Sequence, residues 1–357
     1  MRKIGLFLVA ICLLQLTDLK AQRNSESSFA FGIPTNKVGI GFGNLHQFSG
    51  IRINIMDKHV NQINGINITF WNHKENTEAV VNGLSVGMIP SAGRLNGVNI
   101  GGLGLSAHES INGLNIAGLG LGAGENIDGI SIAGLGLGSG GQINGIAVAG
   151  LGLGSGTDMN GVIVGGLGVG SGKDINGIVI AGLGLGAGSD IRGIAIGGLG
   201  MGAGRDIRGI TLAGLGLGAG RDISGLTFSG IGIGAGRNLS GIQIAGIGIG
   251  GGKQVKGISI AGIGIGAGEE IKGIQIATAI IRSEGKISGI SIVPGYLKAD
   301  KYKGLSFSGY SRTSEMTGIS IALFNYTEKL KGIQVGLLNY AGNNRKGSRW
   351  WPILNIH

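Results

Sequence analysis

The chain has 357 residues, of which 79 are glycine and only 4 proline, with 42% apolar residues and a formal net charge of +10. Collagen needs glycine at every third position with abundant proline, and simple disorder needs few apolar residues, so neither class fits. The single cysteine, Cys12, leaves no disulfide framework and no thiolate metal site to expect.

At the N-terminus, Arg2 and Lys3 precede an apolar run from Ile4 to Leu16, and Leu19-Lys20-Ala21 offers a small residue at a cleavage point. That is the plan of an export signal, read as residues 1–21 with Gln22 as the new N-terminus. Cys12 lies within it, and the bulky Ile11 before it is a poor context for lipidation. Removing the segment takes away Arg2, Lys3, Lys20 and Asp18, which leaves +8. From Lys298 onward there are nine Lys/Arg and three Asp/Glu, so +6 of the surplus sits in the last sixty residues. Export argues against nucleic acid as the partner for this charge and for anionic lipid or glycolipid phosphate.

Residues 22–45 are polar and then glycine-punctuated, a leader or cap. Residues 46–96 hold irregular echoes of a repeat, at Gly50-Ile51-Arg52-Ile53, Gly65-Ile66-Asn67-Ile68 and Gly83-Leu84-Ser85-Val86. Over 97–289 a 16-residue unit then recurs without a slip. Its first glycine is Gly97, Gly113, Gly129, Gly145, Gly161, Gly177, Gly193, Gly209, Gly225, Gly241, Gly257, Gly273 and Gly289. The unit reads Gly-Ile/Leu-x-Ile-Ala-Gly-Leu-Gly-Leu-Gly-Ala-Gly-x-Asp-Ile-x. Residues 290–357 carry shorter, aromatic units at Gly304, Gly318 and Gly332 and end in Trp350-Trp351, a terminus suited to cap the array or to anchor at a membrane interface. Atypical end units are expected, because they cover apolar surface that inner units bury on one another.

Five glycines per unit, each costing about 1 kcal/mol in a helix, argue for extended chain. In residues 113–128, Leu114 and Ile116 alternate, and Leu119, Leu121 and Ala123 alternate on the opposite parity. Period-two runs mean strands, and the parity change at Ala117-Gly118 predicts a bend or bulge. A second break falls at Gly124-Glu125-Asn126. Each unit is therefore two short strands and two turns, with Ile111, Leu114, Ile116, Leu119, Leu121 and Ala123 facing inward. The expected fold is all-β, a β-solenoid with about 16 residues per coil. A constant repeat length favours it, since one added residue would turn a strand inside out. The alternative is an outer-membrane antiparallel β-barrel with a pore or transport role. It fits less well: its turns should differ on the two sides, and residues 97–289 contain one aromatic, Phe228.

Chemistry is sparse. Gly118, Gly120 and Ala123 match a dinucleotide fingerprint formally, but no helix can follow to hold a pyrophosphate. Gly118 and Gly122 match a membrane-helix contact spacing, against the strand alternation. The histidines His46, His59, His73, His108 and His357 are scattered, so no metal site is expected. Asp158, Asp174, Asp190, Asp206 and Asp222 share one repeat position. Beside them run Lys173, Arg192, Arg205, Arg208, Arg221, Arg237, Lys253, Lys256 and Lys272, a solvated edge of weak ion pairs or an anion-binding one. No nucleophile or base stands among the acids, so no catalytic residue or cofactor is expected. The Leu-Gly-Leu-Gly-Ala-Gly strand shows bare glycine on one face, which serves tight curvature or admits self-association.

The units Gly318-Ile319-Ser320-Ile321-Ala322-Leu323-Phe324-Asn325-Tyr326 and Gly332-Ile333-Gln334-Val335-Gly336-Leu337-Leu338-Asn339-Tyr340 resemble the surface-repeat proteins of leptospires and Bacteroidota, with arrays of the form G-[IV]-Q-[IV]-x-G-[LF]-x-N. The resemblance covers roughly residues 46–357 and departs in the middle, where Leu-Gly-Leu-Gly replaces the asparagine. It implies an envelope or surface location and carries no assigned activity. The resulting expectation is an exported, non-enzymatic structural or adhesive element at the outer membrane, cell surface or periplasm. Its partners would be a cell-envelope glycolipid or glycan, a membrane, or a second copy.

Overall fold

A computed structural model describes residues 30–72 and 76–357. The export segment with Cys12, residues 22–29 of the leader, and His73 lie outside the described residues. Among those described, the one helical element is a single 3-10 turn, Lys346–Ser348, and the rest of the regular structure is strand. Backbone contacts divide the chain into two units, one ending at Gly156 and one beginning at Thr157.

Each unit is a β-solenoid. In the first, the strand Asn126–Ala133 is followed by the turn Gly134-Leu135 and the strand Gly136–Ser139, and the next coil begins at Ile143–Ala149. Successive coils pair in parallel and in register: Ile127 lies beside Ile143, and Leu137 beside Leu153. In the second unit the same offset sets Ile175 beside Ile191, Ile191 beside Ile207 and Ile207 beside Ile223. Each residue therefore sits over its repeat equivalent, which antiparallel barrel strands cannot do. The barrel alternative, with its pore, is set aside.

Where the coil length changes, the repeat glycine keeps the register. Gly50 pairs with Gly65, Gly65 with Gly83 and Gly83 with Gly97, although the spacings differ. Stacking starts earlier than the sequence indicates, because Val38–Phe42 already lies parallel on Gln47–Asp57, with Gly39 opposite Gly50. Phe31–Pro34 folds back antiparallel on Val38–Phe42. At the other end, Trp350–Ile356 runs antiparallel to the last coil, with Gln334 opposite Asn355, and occupies its free edge.

The interior differs from expectation in one respect. Ile111, Leu121 and Ala123 are buried as expected, but Leu114, Ile116 and Leu119 are 37%, 38% and 48% exposed. The buried set is Ile111, Asn115, Ala117, Leu121, Ala123 and Ile127, all odd-numbered. There is thus no parity change at Ala117-Gly118. Instead the odd positions Gly113, Leu119 and Glu125 face solvent, because the backbone turns at each of them and makes a coil of three sides. The third turn, at the repeat glycine, is the one that counting two turns missed.

The inward position between the two outward apolar residues is mostly small or polar. Asn99 donates to Asn115 at 2.8 Å and Asn115 to Ser131 at 3.1 Å, a ladder of side-chain hydrogen bonds inside the first unit. Ser259 donates to Gln243 at 3.0 Å in the second. One end of this column in the first unit holds Arg52, fully buried and paired with Asp57. Asn54 and Asn67 donate to the same carboxylate at 2.8 and 3.1 Å. Burial lowers the Arg52 pKa against the pull of Asp57, as expected for a cation taken out of water.

Candidate functional site

The surface of each coil follows from its three sides. On the first side, the residues after each repeat glycine point outward and stack. In the second unit one column runs Ile178, Ile194, Ile210, Leu226, Ile242, Ile258, Ile274 and Ile290. The column two residues on runs Ile180, Ile196, Leu212, Phe228, Ile244, Ile260, Ile276 and Ile292. A third column stands on the turn itself, with Leu183, Leu199, Leu215, Ile231, Ile247 and Ile263, and Leu215 is 49% exposed. The Leu215 amide donates to the Leu199 carbonyl at 2.7 Å, so the turn is held by its neighbour as firmly as the strands are. The first unit has matching columns of its own, such as Ile51, Ile66, Leu84, Val98, Leu114, Ile130 and Ile146.

The second side is glycine. A Cβ built on Gly152, Gly154, Gly184, Gly186, Gly216 or Gly234 would meet nothing within 4 Å. The other glycines differ. On Gly182 a Cβ would lie 1.9 Å from the Gly166 carbonyl oxygen, and on Gly188 2.1 Å from that of Gly172. The thirteen repeat glycines from Gly97 to Gly289 all have φ between 105° and 125°, where side chains are strained. Three of the five glycines are thus imposed by the neighbouring coil, and the two on the open side are not. From Ile280 onward the open side fills. Gly264 is followed in register by Ile280 and Tyr296, and Tyr296 stacks on Tyr310 with ring centres 5.4 Å apart.

The third side carries the charged edge. Each aspartate bridges two coils, because Asp174 Oδ1 accepts the Asp190 amide, Asp190 Oδ1 the Asp206 amide, and Asp206 Oδ1 the Asp222 amide, at 3.1–3.2 Å. Arg205 grips Asp190 with two hydrogen bonds of 3.0 and 3.1 Å, and Arg192 reaches both Asp190 and Asp174. Arg208 pairs with Asp206 at 2.7 Å, Arg221 with Asp206 at 3.6 Å, Arg237 with Asp222 at 2.7 Å and Lys253 with Glu269 at 3.6 Å. Burial would raise the Asp190 pKa, but hydrogen bonds from Arg205 and the Asp206 amide outweigh it and hold the carboxyl below its ordinary value. The Arg237 hydrogen bond does the same for Asp222. Six of the nine cations singled out from sequence therefore have a carboxylate partner on their own edge. Lys173, Lys256 and Lys272 have none within 4.0 Å among the described residues, and Lys256 lies beside Lys272 along the margin of the apolar columns.

Two hollows among the described residues bear on the surface. An open apolar groove of about 590 Å³ in the second unit lies between the column Ile292, Phe307, Ile321 and Val335 and the pair Leu323 and Leu337. In the first unit, a hollow of about 270 Å³ is lined by Asn76, Ser91, Ser106 and His108 among others, with one titratable group. Among the described residues, no three His, Cys, Asp or Glu side chains cluster as a metal site would require. Gly118, Gly120 and Ala123 lie on a turn and a strand that lead into another coil, not into a helix.

Sequence reasoning missed both the outward columns and the inward polar one. A signal for the latter was present: after Arg52, its positions run Asn67, Ser85, Asn99, Asn115 and Ser131 and on to Gln334 without one charge. A solvated column of that length would carry charge.

The class defined by this fold is the parallel β-solenoid, here with an apolar outer ridge and a charged edge that is largely ion-paired. Set against models of known families, curated proteins and solved structures, the chain matches none. No helix among the described residues is long and apolar enough to cross a membrane.

Proposed function

We propose that the protein is an exported, non-enzymatic structural or adhesive element of a bacterial envelope or surface, acting through the outer side chains of its coils. The observation that carries this reading is the set of outward apolar columns. Soluble monomers rarely expose contiguous apolar patches beyond about 300–600 Å². Here two to three large side chains per coil, each about two-fifths exposed, recur through the second unit, an area on the order of 10³ Å². A surface of that size has a partner. The export-type N-terminus and the resemblance of the Gly318 and Gly332 units to surface-repeat proteins support the compartment.

Fractionation of the native cells tests it. The chain is expected in the envelope fraction with Gln22 as its first residue by N-terminal peptide mass, and a variant lacking residues 2–21 should stay in the cytoplasm. Recovery of the unprocessed chain in the cytoplasmic fraction would refute the proposal.

A further inference from the structure

We infer that the outward ridge of the second unit seats in the surface of a lipid bilayer bearing anionic headgroups, an inference that rests on the envelope reading above and names its partner. The shape of the ridge decides between candidate occupants. Its outermost column, Leu183, Leu199, Leu215, Ile231, Ile247 and Ile263, stands on a turn and is 46–51% exposed, while no member of the Ile178 and Ile180 columns on the adjoining side exceeds 41%. The apolar surface is therefore convex, with its crest on the corner. Two convex ridges meet along a line and leave most of their area wet, so a second copy would cover the face poorly. Acyl chains are deformable and close around a crest, as they do around an amphipathic helix lying in the interface.

Five further features agree. Beyond the crest lies the open glycine side, where Gly184, Gly186, Gly216 and Gly234 have nothing within 4 Å of a would-be Cβ. Glycine there leaves the crest standing clear, with no side chain to hold lipid away. Along the opposite margin stand Lys256 and Lys272, exposed and without a carboxylate within 4.0 Å among the described residues. They flank Ile258 and Ile274, the arrangement in which an ammonium reaches headgroup phosphate while its neighbour enters the acyl layer. At the C-terminal end the ridge opens into the groove lined by Gly309, Ala322 and Gly336 among others, with almost no polar group. Trp350 and Trp351, 55% and 50% exposed, belong to the strand paired to the last coil, with the amphipathic rings favoured at a bilayer surface. The last sixty residues add +6 of charge, which favours an anionic leaflet.

Vesicle flotation of the protein as the cell exports and processes it tests this. It should float with vesicles of phosphatidylcholine and phosphatidylglycerol in equal amounts, and more weakly with phosphatidylcholine alone. The double variant Ile210→Glu, Leu212→Glu changes only outward side chains. It should keep its β circular dichroism and thermal transition, yet lose vesicle affinity by about tenfold or more. Lys256→Glu with Lys272→Glu should reduce the preference for phosphatidylglycerol and leave binding to phosphatidylcholine unchanged. The inference is overturned if the parent floats with neither vesicle, if the double change at Ile210 and Leu212 leaves flotation intact, or if that change instead dissociates a stable dimer, which would assign the ridge to a second copy. Any of these can occur with the protein still in the envelope fraction, so the broader proposal would survive them.

Discussion

At the scale of single residues, the repeat contains two kinds of glycine that composition does not separate. Gly209 has φ 125°, and a Cβ there would lie 2.0 Å from the Gly193 carbonyl oxygen, whereas Gly216 has open space. Gly209→Ala is expected to cost at least about 1–3 kcal/mol, since left-handed strain and displacement of the next coil add. Gly216→Ala should fall within about 0.5 kcal/mol of the parent. Urea melts of the two variants read the difference, and equal losses would show that the open side is not open. Arg52 offers a second test. Asp57→Ala leaves a fully buried guanidinium without its carboxylate, a loss expected at about 3–5 kcal/mol. Replacing both partners by apolar residues should restore most of it. Sequence alone marked the thirteen repeat glycines but not which others the backbone demands. That distinction depends on how closely the next coil approaches, a distance no pattern of letters contains.

At the scale of the strand and the coil, the period of sixteen was legible and favoured parallel stacking over the antiparallel barrel, because superposed equivalents require a constant coil length. The division into inside and outside was not. Ile111 and Leu121 are inward as expected, but Leu114 and Ile116 were assigned to the core because they are large and apolar, and this required a parity break that the chain does not make. Strict alternation from Ile111 gives the observed side for both. The size rule failed because this protein keeps large apolar side chains on two opposed surfaces and gives small polar ones part of the interior. One consequence is measurable. Deleting one whole coil, residues 209–224, rejoins Arg208 to Gly225 in unchanged register, so the shortened chain should fold with a transition like the parent's. Deleting Thr211 alone reverses every side chain from there to the next turn, and should abolish cooperative melting. A further consequence concerns acid. Asp190 and Asp222 have depressed folded pKa values, so their contribution is present above the unfolded value of about 3.9 and is lost as pH falls through the lower folded one. The thermal midpoints of the parent and of Asp190→Asn with Asp222→Asn should therefore differ at neutral pH and converge in strong acid.

For the whole molecule, stability in an array of this kind is close to a sum of nearest-neighbour terms. Interior coils have two neighbours and end coils have one, so the ends govern solubility. Trp350–Ile356 covers the edge of the last coil by antiparallel pairing, and removal of residues 350–357 should expose a template for the next chain. The expected outcome is concentration-dependent association, seen by light scattering, with the β circular dichroism spectrum preserved. The same additive bonding bears on inheritance. Neighbouring copies in the gene encode segments that are interchangeable in the product, so unequal recombination between them would lengthen or shorten the protein by whole steps without spoiling its folding. The number of steps then becomes a trait on which selection can act separately from sequence, and closely related strains would differ in it by multiples of forty-eight nucleotides, sixteen codons at a time.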